Sequence, residues 1–235
     1  MVFPDLDTLK EGATLLIDKP YEWTSFDVVN LIKRRTKAKT GHAGTLDPLA
    51  TGLVILCTGK FTKKLQEFSE LGKTYEGIIY LGAHRPSYDR ETEIESTNDI
   101  SGITEEQIQE SAKTFIGEQL QMPPIFSAIK KDGIRAYKKA RKGEHIEMTA
   151  RKINIIDFVI KKVELPMVHF EVSCSKGTYI RSLAFDFGKS LNSKAYLHEL
   201  RRTKIGLYDV KNAFTVEECI ESIADQKMKQ NNKPD

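Results

Sequence analysis

Asp47 is the only acidic group in GHAGTLDPLATG, Gly41 to Gly52, where three glycines and an Asp-Pro step mark a loop. A glycine-rich loop that cradles phosphate works through backbone N–H groups and a lysine, not through a lone carboxylate. An isolated Asp-Pro is a turn residue and no more. Competing chemistries have weak support, however. The histidines at 42, 84, 145, 169 and 198 show no HxxxH spacing, and no paired cysteines accompany them, so no metal is expected. There is no G-x-G-x-x-G, no GxxxxGK[ST] and no GxSxG elbow. What remains is chemistry around a carboxylate, with no cofactor.

The elements that must position Asp47 can be placed from periodicity. ATLLID (Ala13–Asp18) and LVILCTG (Leu53–Gly59) read as short buried strands on either side of the loop. Between them Ser25 is expected to cap a helix whose Phe26, Val29 and Ile32 share a face, with basic residues at the end the dipole favours. Leu65, Phe68 and Leu71 mark another helix, and TYEGIIYLG a third strand. Ile103-Thr104 with Gln107 forms a staple and capping box for a helix through Ile108, Ala112 and Phe115. Two strands are expected at 152–163 and 168–174, the second alternating Val168, Phe170, Val172 and Cys174 with His169, Glu171 and Ser173. A helix near 179–191, a strand near 197–205 and a last helix from Val216 complete the pattern. It predicts an α+β fold with a mixed, largely antiparallel sheet. The polar stretch at 91–102 reads as a loop, 123–147 as an inserted arm that folds over a ligand, and 226–235 as a polar, disordered tail after a domain spanning 1–225.

A chain of 235 residues with 40% hydrophobic and 29% charged content fits one soluble globular domain. No run approaches the ~18 apolar residues of a membrane span. The N-terminus lacks a signal peptide's regions, and the three cysteines suit a reduced, cytoplasmic protein. Net charge is only +3, but the cations are clustered in KRRTKAK (Lys33–Lys39), KKDGIRAYKKARK (Lys130–Lys142) and LRRTK (Leu200–Lys204). Any one cluster reads as a solvated face. Three together, with Tyr137 among them, point to a polyanion with stacked bases.

GHAGTLDPLATG closely resembles the catalytic motif of the TruB family of tRNA pseudouridine synthases. LLIDKPYEWTS, GKTYEG, CSKGTYIRSLAFDFG and LRRTKIG resemble further family stretches, in the family's order, from about Gly12 to Thr215. The resemblance implies the pseudouridine synthase fold. It also implies isomerisation of a uridine, U55 in the T-loop of tRNA, on a flipped-out base without cofactor or metal. Asp47 takes the nucleophile's place. Tyr75 matches the tyrosine that packs on the base and helps remove its carbon-bound proton, and Arg181 the arginine that pairs with the aspartate. Tyr179 and Leu200 match base-pocket positions, and His42 one that fills the space left by the extruded nucleotide. Lys19 is expected to contact RNA or support the Asp loop. Attack on the sugar, attack on the base and glycal formation all stay open for Asp47. The implied form is short, without the PUA or PUA-like domain of bacterial members, a monomer that binds the T-arm of tRNA with no obligate protein partner and no membrane. Two alternatives stand beside it: the same chemistry on another RNA, guided ones included, and a tRNA-folding module without chemistry.

Overall fold

The computed structural model describes residues 2–126 and 148–231, together with the backbone of 130–131 and 134–135. Along the chain come α1 (Leu6–Glu11), β1 (Thr14–Lys19), α2 (Ser25–Thr36), β2 (Thr40–Ala43), β3 (Thr51–Thr58), α3 (Leu65–Glu70) and β4 (Lys73–Leu81). Then follow β5 (Ala83–His84), β6 (Ser96–Thr97), α4 (Glu105–Thr114), β7 (Gly117–Gln121), β8 (Lys130–Lys131) and β9 (Ile134–Arg135). Last are β10 (Arg151–Glu164), β11 (Met167–Cys174), α5 (Ile180–Ser190), β12 (Ala195–Ile205), β13 (Tyr208–Asp209), β14 (Phe214–Thr215) and α6 (Val216–Asn231). Strand pairing is mixed and mostly antiparallel, as expected, and the class is α+β.

The chain forms two compact units, residues 1–75 with 201–235, and residues 76–200. The division falls inside β4 and β12, each of which contributes to both units.

In the first unit β1 and β2 pair antiparallel with β3, while β12 pairs parallel with it at Arg201 and Arg202. β3 is buried from Gly52 to Cys57 and on through Thr58, which explains the unbroken apolar run: neither face meets water. Leu16, Ala43, Leu53, Ile55, Cys57, Phe68 and Ile205 form one core cluster. α2 differs from its sequence pattern in two ways. Its cap is Thr24, whose Oγ1 accepts from Asp27 N at 3.0 Å while Asp27 Oδ2 accepts from Thr24 N at 2.9 Å, and Ser25 is the first helical residue. Its buried stripe is Val28, Val29 and Ile32, and Phe26 is 62% exposed. β2 was not anticipated, so Gly41 and His42 lie in a strand rather than a loop.

The second unit holds the long β10–β11 hairpin with β7 on its far edge. Phe158 is the hub of its core, with ring centroids 5.5 Å from Phe187, 5.8 Å from Phe170 and 6.2 Å from Phe115. Thr104 and Gln107 form the anticipated capping box of α4. Of the proposed arm at 123–147, the paired backbone of β8 and β9 is described, but its basic side chains lie outside the described residues. α6 continues to Asn231, so residues 226–231 extend a helix where a disordered tail was expected; residues 232–235 lie outside the described residues.

Candidate active site

The turn between β2 and β3 carries Asp47, half-buried, and buried polar side chains fasten the residues on both sides of it. Arg202 is 1% exposed and donates through Nη2 to Gly44 O at 3.0 Å, through Nη1 to Thr45 O at 3.5 Å and through Nε to Leu53 O at 2.7 Å. Ser25 Oγ accepts from Leu46 N at 2.9 Å and donates to Leu46 O at 3.2 Å. Lys19, fully buried, donates from Nζ to Pro20 O at 2.9 Å, Trp23 O at 2.6 Å and Pro48 O at 3.3 Å. Glu22 N adds a bond to Pro48 O at 2.9 Å. Residues 44, 45, 46 and 48 are thus each tied down by a group distant in sequence.

Glycine is required where this turn rejoins β3. Gly52 has φ +105°, and a Cβ there would lie 2.3 Å from Arg202 O and 2.8 Å from Arg202 N. The close approach seats the Arg202 backbone against β3 and so aims its guanidinium at the Gly44 and Thr45 carbonyls.

Burial governs the electrostatics around this turn. Desolvation pulls Lys19 down to about 8, against the opposing field of Asp47. His42, opposite Leu56 in the β2–β3 ladder, is held below the ordinary histidine range by burial and then by Arg202. It is therefore a neutral ring at pH 7, suited to apolar or stacking contact rather than to phosphate. Tyr75 lies on the buried alternation of β4 with Lys73, Ile79 and Leu81. Lys73 Nζ donates to Ser69 O at 2.7 Å and Leu71 O at 2.5 Å.

The second unit places Tyr179 and Arg181 at the start of α5. Tyr179 is the N-cap, and the Gln121 side chain bridges it, with Oε1 accepting from Tyr179 N at 2.8 Å and Nε2 donating to Tyr179 O at 3.0 Å. Ser182 Oγ donates to Met122 O at 2.7 Å. Arg181 is 5% exposed; its Nη1 donates to Phe126 O at 2.9 Å and Ser87 O at 3.3 Å and lies 3.5 Å from Asp89 Oδ2. The loop carrying Asp89 is itself stitched by Ser87 Oγ, which donates to Asp89 O at 3.1 Å, and by Glu91 N, which donates to Asp89 Oδ1 at 2.9 Å. Leu200 is half-buried at the end of this unit's share of β12.

Lys19, His42 and Asp47 therefore gather around one turn of the first unit, with Tyr75 on its β4 segment, and Tyr179 and Arg181 share one helix start in the second. The sequence pattern missed Ser25, Gln121, Ser87, Asp89 and Arg202 as organising groups. LRRTK pointed outward to phosphate, yet Arg202 is buried and Arg201 makes a bidentate pair with Asp18 at 2.6 and 3.0 Å. Among the described residues, no group of three or more His, Cys, Asp or Glu could hold a metal, and no helix is long and apolar enough to cross a membrane.

Comparison with known proteins gives consistent relatives. The profile of the TruB family pseudouridylate synthase (N terminal domain) matches residues 32–180. A protein named tRNA pseudouridine synthase B from Flavobacterium johnsoniae is 56% identical over 214 residues, 88% of this chain and 93% of the relative. One of the same name from Phocaeicola vulgatus is 46% identical over 228 residues, 94% of this chain and 97% of the relative. Among solved structures, a chain of a Cbf5-Nop10-Gar1 complex matches with TM-score 0.75 and 27% identity, over 97% of this chain and 59% of its own length.

Proposed function

The chain belongs to the TruB family of pseudouridylate synthases, and on that premise we propose that it isomerises the uridine at position 55 in the T-loop of tRNA, with Asp47 as nucleophile. Its named relatives are tRNA pseudouridine synthases, which supports tRNA as the substrate and an isomerase as the enzyme class. The observation that carries the assignment to Asp47 is the fastening of its turn. Arg202, Ser25 and Lys19 hold the residues before and after it, so its carboxylate is presented from a preorganised backbone.

The reaction breaks the bond from the ribose C1′ to the uracil N1, turns the base and forms a bond from C1′ to C5. A proton leaves C5, and N1 ends protonated. Nothing is oxidised, reduced or hydrolysed, so the chemistry calls for neither redox cofactor nor metal. It calls for a base taken out of the stack and a group that handles C1′ or the ring during the transfer. In this reading Asp47 is that group, and Arg181 holds the position of the family's catalytic arginine. Tyr75 packs on the extruded base and assists loss of the C5 proton, while Tyr179 and Leu200 line its pocket. His42, neutral, fills the gap the base leaves. Lys19 supports the Asp47 turn rather than touching phosphate, because its three donors are spent on carbonyls. The chain acts as a monomer on the T-arm.

The test uses a tRNA transcript carrying tritium at uracil C5. Wild type is expected to release label from position 55 alone. Asp47→Asn keeps size and shape but not charge, so it is expected to release none while still binding RNA. Label released by a contamination-free Asn variant would remove Asp47 from the role, and release from another position would overturn the T-loop assignment.

A further inference from the structure

β12 carries a second set of groups that the proposed reaction does not use. Tyr196 and His198, two residues apart on this strand, share one face. The Tyr80 ring of β4 stacks on Tyr196 with centroids 5.1 Å apart and planes 19° apart. His198 lies 6.1 Å from each of these rings. The Arg85 guanidinium sits over Tyr196, 4.8 Å from its centroid. Tyr196 is buried, whereas Tyr80, His198 and Arg85 are half-buried and Arg90 is exposed.

This array is preorganised. Arg85 Nη1 donates to Thr92 O, and Leu197 N donates to Tyr88 O at 2.9 Å, which sews the 85–92 loop onto β12. Burial and the charges of Arg90 and Arg85 hold His198 below the ordinary histidine range, so it presents a neutral ring at pH 7. Half-buried aromatic rings beside guanidinium groups are the chemistry of single-stranded RNA binding: rings take bases and cations take phosphates.

We propose that Tyr80 and His198, with Arg85 and Arg90, form a subsite for an unpaired nucleotide of the substrate RNA, distinct from the nucleotide that is isomerised. Leu200, assigned to the target base, is two residues further along the same strand, about 7 Å. The subsite rests on the RNA reading above and adds that a neighbouring unpaired base is held by stacking rather than by sequence-specific hydrogen bonds.

Two experiments test it, both with a T-arm stem-loop and the Asp47→Asn chain, so that binding is read without turnover. In the first, 5-iodouridine replaces one unpaired nucleotide at a time, and light-induced crosslinks are mapped by peptide. A crosslink at Tyr80 or His198 is expected for one loop position; crosslinks only to other peptides would overturn the subsite. In the second, the Tyr80→Leu, His198→Leu pair is expected to weaken binding at least about fivefold, the low end for losing one stacked base. The salt slope should stay the same, whereas Arg90→Ala should flatten it by up to ~0.7, one phosphate on a single strand. Binding by the Leu pair within twofold of the parent, at an unchanged thermal midpoint, would also overturn the subsite. The crosslink needs no altered residue in the array, so a misfolded variant does not block the test. Absence of any conversion by the wild-type chain would instead defeat the RNA reading itself.

Discussion

At the scale of single residues, two buried cations carry the most specific expectations. Arg181 meets Phe126 O, Ser87 O and Asp89 through Nη1, and a lysine at this site would bring a shorter-reaching point charge without the guanidinium's planar fork. Arg181→Lys is expected to lower single-turnover rate at least about tenfold, ~1.4 kcal/mol of transition-state stabilisation. A Lys variant with the wild-type rate would reduce Arg181 to a structural cation. Lys19 offers a pH signature independent of substrate. Its pKa of about 8 in the folded chain lies below the 10.5 of an ordinary lysine, so the folded state binds fewer protons in that interval. Its contribution to stability is accordingly unfavourable below about 8 and is relieved as pH rises towards 10.5. The local event is visible because Lys19 donates to the carbonyl of Trp23, the only tryptophan. Trp23 fluorescence is expected to titrate with a midpoint about 8 and to lose that transition in Lys19→Met. A transition that persists in the Met variant would assign it to another group.

At the scale of elements, the Asp47 turn depends on its neighbours more than on its own bonds. Ser25→Ala strands the buried Leu46 N–H and is expected to cost about 1–3 kcal/mol in urea unfolding. Gly52→Ala should be worse, because a Cβ 2.3 Å from Arg202 O forces backbone apart where β3 meets β12. Loss of turnover should accompany loss of stability, since the same displacement moves the guanidinium off Gly44 and Thr45. Gly102→Ala is the control: a Cβ there meets nothing within 4 Å, and stability should stay level or rise. Equal effects of the two substitutions on melting temperature would refute the close-approach account.

At the scale of the whole molecule, a net charge of +3 gives little general attraction for RNA, so the placement of cations decides binding. The LRRTK cluster is largely used internally, by Arg202 on carbonyls and Arg201 on Asp18. The end of α2 differs, with Lys33, Arg34, Lys37 and Lys39 all exposed. Changing Lys33, Arg34 and Lys37 to Ala is expected to weaken RNA binding and flatten its dependence on log salt, by up to ~0.7 per lost phosphate contact. The same substitution at Lys138, Lys139 and Arg141, judged from sequence alone, should do likewise. Whichever triple leaves the slope untouched is a solvated face.

The sequence by itself determined the family, the α+β class and the elements whose periodicity is strong: β3, β4, β10, β11, α4, α5 and the start of α6. These are legible because burial imposes a repeat of two or of about three and a half on residue types, and because a capping box such as Thr104 and Gln107 is a local bond. The short strands β2 and β7 were not legible, since each exists only through a ladder to a strand distant in the chain. Phe26 was misjudged for a related reason: which side of α2 is covered depends on what packs there, and Val28 proved to face the core instead. The clasp around Asp47 was the least visible. Lys19, Ser25 and Arg202 look like a loop cation, a helix cap and a phosphate ligand, and nothing in their types records which backbone carbonyl or amide each will meet. That choice belongs to the tertiary structure, because a buried polar group must find its partner wherever folding delivers one.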